Sequence, residues 1–213
     1  MTGSCGRSRA ISIAGRDGAG LGRREALSRG VAGATAIAGF LLLGPRPRAA
    51  GAAPSGAQDQ KIFNYALLLE YLQAAFYSES VDQDRLKGEV RDFAKIVSEH
   101  ERDHVKYLQK ALGSAARARP RFNFGNATRD QKKFLDAAVL LENTGVAAYN
   151  GQAANLTKKA LAAAAEIVSV EGRHAAWISD LAGKDPAPRA ADPGATTDEV
   201  IATLRGTGFL RAT

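Results

Sequence analysis

Glu101-Arg102-Asp103-His104 and Glu171-Gly172-Arg173-His174 are two copies of one short pattern, Glu-x-x-His, and each follows a single glutamate set among apolar residues, Glu70 and Glu142. Residues three apart on an α-helix lie on one face, about a turn from each other, so each copy offers an oxygen and a nitrogen to the same side. Four carboxylates and two imidazoles in the order Glu, Glu-x-x-His, Glu, Glu-x-x-His suit a site for two metal ions inside a four-helix bundle. Glu70 sits in Tyr65-Ala66-Leu67-Leu68-Leu69-Glu70-Tyr71-Leu72 and Glu142 follows Ala137-Ala138-Val139-Leu140-Leu141, surroundings that predict burial. A buried carboxylate is costly unless it is paired, protonated or bound to a metal.

These residues need long helices to carry them. At about 1.5 Å rise per residue, Glu70 lies roughly 15 Å before a helix end near Ser80, and Glu101 lies roughly 18 Å past a helix start near Glu89. The two levels match, and a similar register holds for Glu142 and Glu171 across a turn between Gly151 and Thr157. The spacing predicts a first helix over residues 59–80, a second over 89–112 capped by Gly113, and a fourth over 156–182 ending at Gly183. Between the second and third, residues 113–128 form a long linker with Pro120, Phe122 and Phe124. Thr128-Arg129-Asp130-Gln131 reads as a capping box that opens the third helix. Past Pro186, Pro188 and Pro193, Thr196-Thr197-Asp198-Glu199 opens a last short helix that ends by Gly206.

The halves repeat. Tyr77 follows Glu70 by seven residues and Tyr149 follows Glu142 by seven, two turns along the same face. His100, four residues before His104, falls where the second half has Val170, and is read either as a third nitrogen near the site or as a satisfied bundle histidine. Asp103 and Arg173 hold equivalent places and either pair across helices or remain two solvated charges. Gly145 interrupts the third helix one turn past Glu142, where glycine costs about 1 kcal/mol relative to alanine; close helix packing or a small opening over the site would account for it.

Together these residues resemble the ferritin-like superfamily of di-iron and di-manganese carboxylate proteins, over about residues 59–181. The stretch Ile62-Phe63-Asn64-Tyr65-Ala66-Leu67-Leu68-Leu69-Glu70-Tyr71-Leu72 is similar to the secreted and desiccation-related bacterial members. The resemblance implies an all-α four-helix bundle with a left-handed crossover and metal ligands at Glu70, Glu101, His104, Glu142, Glu171 and His174. It implies two metal ions, with iron first and manganese second, and a tyrosine at Tyr77 that bonds a ligand carboxylate; a plain core tyrosine is the other reading. Tyr149 is its counterpart. Since the superfamily spans ferroxidases, peroxidases, catalases and oxygenases, the fold does not choose the reaction. Redox chemistry on oxygen or peroxide is the first expectation. A non-catalytic envelope or desiccation-stress protein is the second, and iron storage the third; a homo-oligomer is compatible with each.

Length and charge divide the chain into a leader at 1–52, a bundle at 53–183 and a tail with a short helix at 184–213. The net charge of +7 is concentrated in the leader, which carries 8 basic and 2 acidic residues and leaves 21 against 20 beyond it. No basic stripe with interleaved aromatics remains to suggest nucleic acid as a partner. Cys5 is the single cysteine and lies in the leader, so neither disulfides nor a cysteine-bound metal module are expected in the mature chain. Arg23-Arg24-Glu25-Ala26-Leu27-Ser28-Arg29 precedes an uncharged run over residues 30–44 and resembles a twin-arginine export signal, with a smaller residue at Ala26 than that signal ordinarily carries. Ala50-Gly51-Ala52 offers a small-x-small cleavage site; an uncleaved anchor is the alternative. The expectation is export to a periplasmic or extracellular location by a route that carries folded proteins.

Overall fold

The computed structural model describes residues 53–210. The leader, with Cys5, the arginine pair and the small-x-small site, lies outside the described residues. Among the described residues five α-helices carry the fold: α1 Gly56–Asp82, α2 Gly88–Leu112, α3 Gln131–Gln152, α4 Lys158–Leu181 and α5 Thr197–Thr207. Among the described residues there is no strand, only an isolated bridge between Phe122 and Leu210. No helix among them is long and apolar enough to cross a membrane.

Short turns make α1 pack on α2 and α3 on α4, while α1 against α3 and α2 against α4 close the bundle. Helix α1 is buried on more than one face: Leu69, Glu70, Tyr71, Leu72 and Gln73 are all inside. That is the behaviour of a helix without a polar stripe. Helix α2 keeps a charged outer face and turns Val90, Phe93, Ala94, Val97, Glu101, His104 and Leu108 inward. Two apolar clusters result. One holds Phe76, Tyr77, Phe93, Phe134 and Ile178, with Phe76 stacked on Phe134 at 5.2 Å. The other holds Phe63, Leu67, Leu108, Tyr149 and Ile167.

Local signals decide most boundaries. Gly113, at φ 55°, ends α2. Gly183, at φ 68°, ends α4, with its N–H on the Asp180 carbonyl and that of Lys184 on the Ser179 carbonyl, both at Schellman spacing. The expected Thr196–Glu199 capping box opens α5. The ends of α1 and α4 lie one to three residues from the sequence reading, and at α3 and α5 the capping residue itself differs. Helix α3 is capped by Asp130, whose carboxylate accepts from the Lys133 N–H at 2.9 Å. Thr128 is instead buried and donates its hydroxyl to Glu79 at 2.7 Å, while Gln131 accepts from the Lys87 N–H. The charged acceptor takes the helix end, and the hydroxyl ties the crossover to α1. Helix α5 runs past Gly206 to Gly208, the residue with the left-handed backbone, φ 71°.

The tail is held by close backbone contact. A Cβ on Gly151 would lie 1.8 Å from the Ala195 carbonyl oxygen, so only glycine lets the tail cross α3 there. Beside it the Ala195 N–H bonds the Ala147 carbonyl at 2.8 Å. This crossing sets α5 against α3 and brings Phe209 onto Phe76 and Phe124, closing one end of the bundle.

Candidate metal centre

All six residues of the repeated pattern converge between the two apolar clusters, and none is more than 9% exposed. Glu70 comes from α1, Glu101 and His104 from α2, Glu142 from α3, Glu171 and His174 from α4. Two groups of donor atoms form, each within 4.8 Å of one another: Glu70, Glu101, His104 and Glu171, and Glu101, Glu142, Glu171 and His174. Glu101 and Glu171 belong to both. His104 Nδ1 lies 3.1 Å from Glu171 Oε1, 3.2 Å from Glu70 Oε2 and 3.4 Å from Glu101 Oε2. His174 Nδ1 lies 3.1 Å from Glu101 Oε1 and 3.4 Å from Glu142 Oε2. The two oxygens of Glu101 thus face one imidazole each.

Hydrogen bonding among the six does not satisfy them. One N–H on His104 Nδ1 cannot serve three carboxylates at once. His174 Nδ1 approaches two carboxylates yet makes a well-directed bond to neither, and both Glu101 oxygens, Glu142 Oε2 and Glu171 Oε1 also lack a partner. Buried unpaired charge of this kind is very costly. A cation about 2.0–2.2 Å from each donor would set neighbouring donors roughly 2.8–3.6 Å apart at tetrahedral or octahedral angles. The observed 3.1–3.4 Å contacts fall in that span. Oxygen and imidazole donors with two shared carboxylates therefore fit a pair of divalent cations.

The electrostatics of the cluster point the same way. Burial, and then the Glu171 charge, push the Glu101 carboxyl well up. Burial and the charge of Glu70 raise Glu171 to about 7. Burial alone would raise Glu70 as well, but the bond to His104 and its charge hold it below the usual range. In His174 burial disfavours the cation, yet the contacts with Glu101 and Glu142 outweigh it and lift the group to about 10. His104 is raised likewise: burial opposes protonation, and Glu101, Glu171 and Glu70 overcome it. Without metal the site retains protons that a bound cation would displace.

A ring of outer contacts holds the carboxylates. Tyr77 donates to Glu142 at 2.5 Å and Tyr149 to Glu70 at 2.6 Å, each hydroxyl crossing to the other half. Burial and the adjoining carboxylate charges push both phenols well up, so they remain donors. Gln73, which sequence reasoning passed over, donates to Glu142 at 3.2 Å and Glu171 at 3.4 Å. Its signal was its place one turn after Glu70 on the inward face, opposite Gly145 in the repeat. The atoms nearest to Gly145 belong to side chains: a Cβ there would meet Glu171 Oε2 at 2.8 Å and the Gln73 amide at 3.5 Å. Its absent side chain makes room for the Glu171 carboxylate, with the Gln73 amide in ordinary contact beside it. Asp103 pairs with Lys106 at 2.8 Å on its own helix and not with Arg173. His100 is exposed, and its Nδ1 lies 2.9 Å from His174 Nε2.

One flank of the centre is open. A groove of about 420 Å³ over α2 and α4 is lined by His100, Asp103, His104, Val170, Arg173, His174 and Trp177. It reaches the outer edges of both imidazoles. Among comparisons with known proteins, a family model described as a ferritin-like domain matches residues 58–184. No curated protein matches the chain.

Proposed function

Since this chain belongs to the ferritin-like family, we propose that it holds two metal ions and performs redox chemistry on dioxygen or peroxide. The observation that supports the reading is the sharing of Glu101 and Glu171 by both donor groups, an arrangement that would suit two cations side by side. A pair of redox-active cations supplies the two electrons that reduction of peroxide, or of dioxygen to peroxide, requires. Carboxylate and imidazole donors suit iron, manganese and zinc alike; the family resemblance puts iron first and manganese second.

The chain's own contributions follow from the geometry. Glu101 and Glu171 span the two positions, His104 and His174 direct Nδ1 inward, and Tyr149 and Tyr77 fix the orientation of Glu70 and Glu142. The apolar clusters at either end keep bulk water away, which strengthens every charge interaction inside. Glu101, Glu171 and the histidines hold protons that they would give up on binding cations. The groove beside the imidazoles gives a small molecule a path to the edge of the centre. Export in folded form, by the arginine pair of the leader, belongs to the same proposal, because a route for folded chains lets the metal enter before export.

The test is elemental analysis of the protein from its natural compartment, followed by oxygen and peroxide consumption on the iron- and manganese-loaded forms. Close to two ions per chain and turnover that Glu101→Ala abolishes support the reading. A folded native protein without transition metal overturns it, and two bound ions without turnover would assign the chain to a structural or stress role instead. For export, changing Arg23 and Arg24 together to lysine should leave precursor in the cytoplasm; normal secretion of that variant would remove the proposed route.

A further inference from the structure

We propose that His100 is a positioning residue for His174 and that it makes the two metal positions unequal, the one built on Glu101, Glu142, Glu171 and His174 being the tighter. This rests on the two-metal reading above. His174 turns Nδ1 toward Glu101 Oε1 and Glu142 Oε2, and its other nitrogen, Nε2, meets His100 Nδ1 at 2.9 Å. That is hydrogen-bond length, so one nitrogen carries the hydrogen and the other accepts it. When Nδ1 of His174 gives its lone pair to a cation, Nε2 keeps its N–H, and His100 Nδ1 must be the acceptor. The N–H of His100 then sits on Nε2. Both tautomers are thus set outward from the metal position. The rings lie within 13° of parallel, their centroids 5.2 Å apart, so the contact fixes the plane of His174 as well as its tautomer.

The other ligand imidazole has no such support. His104 turns Nδ1 inward in the same way, but its Nε2 makes no hydrogen bond to any of the described residues. The place equivalent to His100 is Val170, which lines the same groove and offers no acceptor. The side chain of His104 is correspondingly more open, 11% exposed against 4% for His174. An imidazole already oriented loses less freedom on taking up metal. Loss of such an outer partner ordinarily lowers metal affinity about 10- to 100-fold. His100 is exposed and belongs to neither core cluster, so replacing it should open no cavity in the bundle.

The test uses the metal-stripped chain titrated with cobalt(II), followed by the ligand-field absorption and by the fluorescence of Trp177, the single tryptophan, which lines the groove beside His174. The wild type should show two binding events. His100→Ala should weaken the tighter event about 10- to 100-fold and leave the other within about threefold, and His100→Asn, whose amide oxygen can accept in place of Nδ1, should restore it to within about threefold. Proton NMR of the cobalt-loaded protein supplies a second readout. The paramagnetically shifted N–H of His174 should exchange slowly in the wild type and His100→Asn, and be lost to solvent exchange in His100→Ala. Two events that His100→Ala leaves unchanged, or an asparagine variant as weak as the alanine one, would overturn this proposal alone. A folded wild type that binds no cobalt would overturn the two-metal reading and this proposal with it.

Discussion

Laid on each other, the two halves of the bundle agree in the candidate metal donors and differ one contact further out. Glu70 matches Glu142, Tyr77 matches Tyr149, and Glu101 with His104 match Glu171 with His174. Gln73, however, matches Gly145, and His100 matches Val170. These differences are complementary. The Gln73 amide lies against the open side of Gly145, at contact distance from where a Cβ would stand, and reaches two carboxylates of the second half. His100, on a helix of the first half, supports the imidazole of the second. On the two-metal proposal, the ring of donors would be constrained to near symmetry by what two like cations require, whereas its supports are free to diverge. Each half also orients the other's carboxylate through Tyr77 and Tyr149, so neither half has a complete site.

The most severe break in this symmetry comes from the shared carboxylates. Glu101→Ala or Glu171→Ala should reduce metal from about two ions per chain to near none, while Glu70→Ala or Glu142→Ala, which touches one donor group, should leave about one. Metal-to-protein ratios after dialysis would separate the two classes. Equal losses from all four would mean that no carboxylate is shared.

Gly145→Ala sharpens the Gln73–Gly145 contrast. Alanine favours the helix by about 1 kcal/mol, and without metal the end of the Glu171 side chain can move away from the new methyl. Once a cation holds that carboxylate, it cannot. We expect metal-free stability to be equal or higher and metal affinity to fall about 10- to 100-fold. Thermal melts with and without metal would show a gain in one and a loss in the other; a gain in both would mean that the glycine gives Glu171 no needed room.

Acidity tests whether the donors face one another without metal as the distances require. Glu171, at about 7, and His174, at about 10, both hold protons more tightly in the folded chain than in an unfolded one, where they titrate near 4.5 and 6.5. Between pH 4.5 and 7 for the first, and 6.5 and 10 for the second, the folded state binds the extra proton. Stability therefore falls as pH rises through those windows. The metal-free melting temperature should be higher at pH 6 than at pH 8 by about 5 °C. Metal-loaded protein should be the more stable at pH 8, and the gap should narrow toward pH 6 as protons compete for the donors. Superimposable melts of the two forms at both pH values would place the carboxylates in solvent.

The smallest effect should come from the feature the halves share. Tyr77→Phe and Tyr149→Phe each remove one bond to a ligand carboxylate, and each should weaken metal binding about 10-fold. Calorimetric titration of the two variants would test their equivalence. A loss confined to one of them would show that the symmetry of the tyrosines is only apparent.

The sequence by itself determined the six candidate donors as a set, the helices that carry them and most of their ends. Those features follow from periodicities of three, four and seven residues, and from caps such as Gly113, Gly183 and the Thr196–Glu199 box, all of which act within one segment of chain. The tertiary structure decided which residues meet across segments. Thr128 left a capping role open to it in order to reach Glu79, Asp103 turned to Lys106 and not to Arg173, and Gln73 came to lie over Gly145. It also chose His174 as the partner of His100 and laid Ala195 on Gly151. Such meetings depend on the rotation and axial offset of one helix against another. A fraction of a turn changes them, and no spacing along a single helix records it.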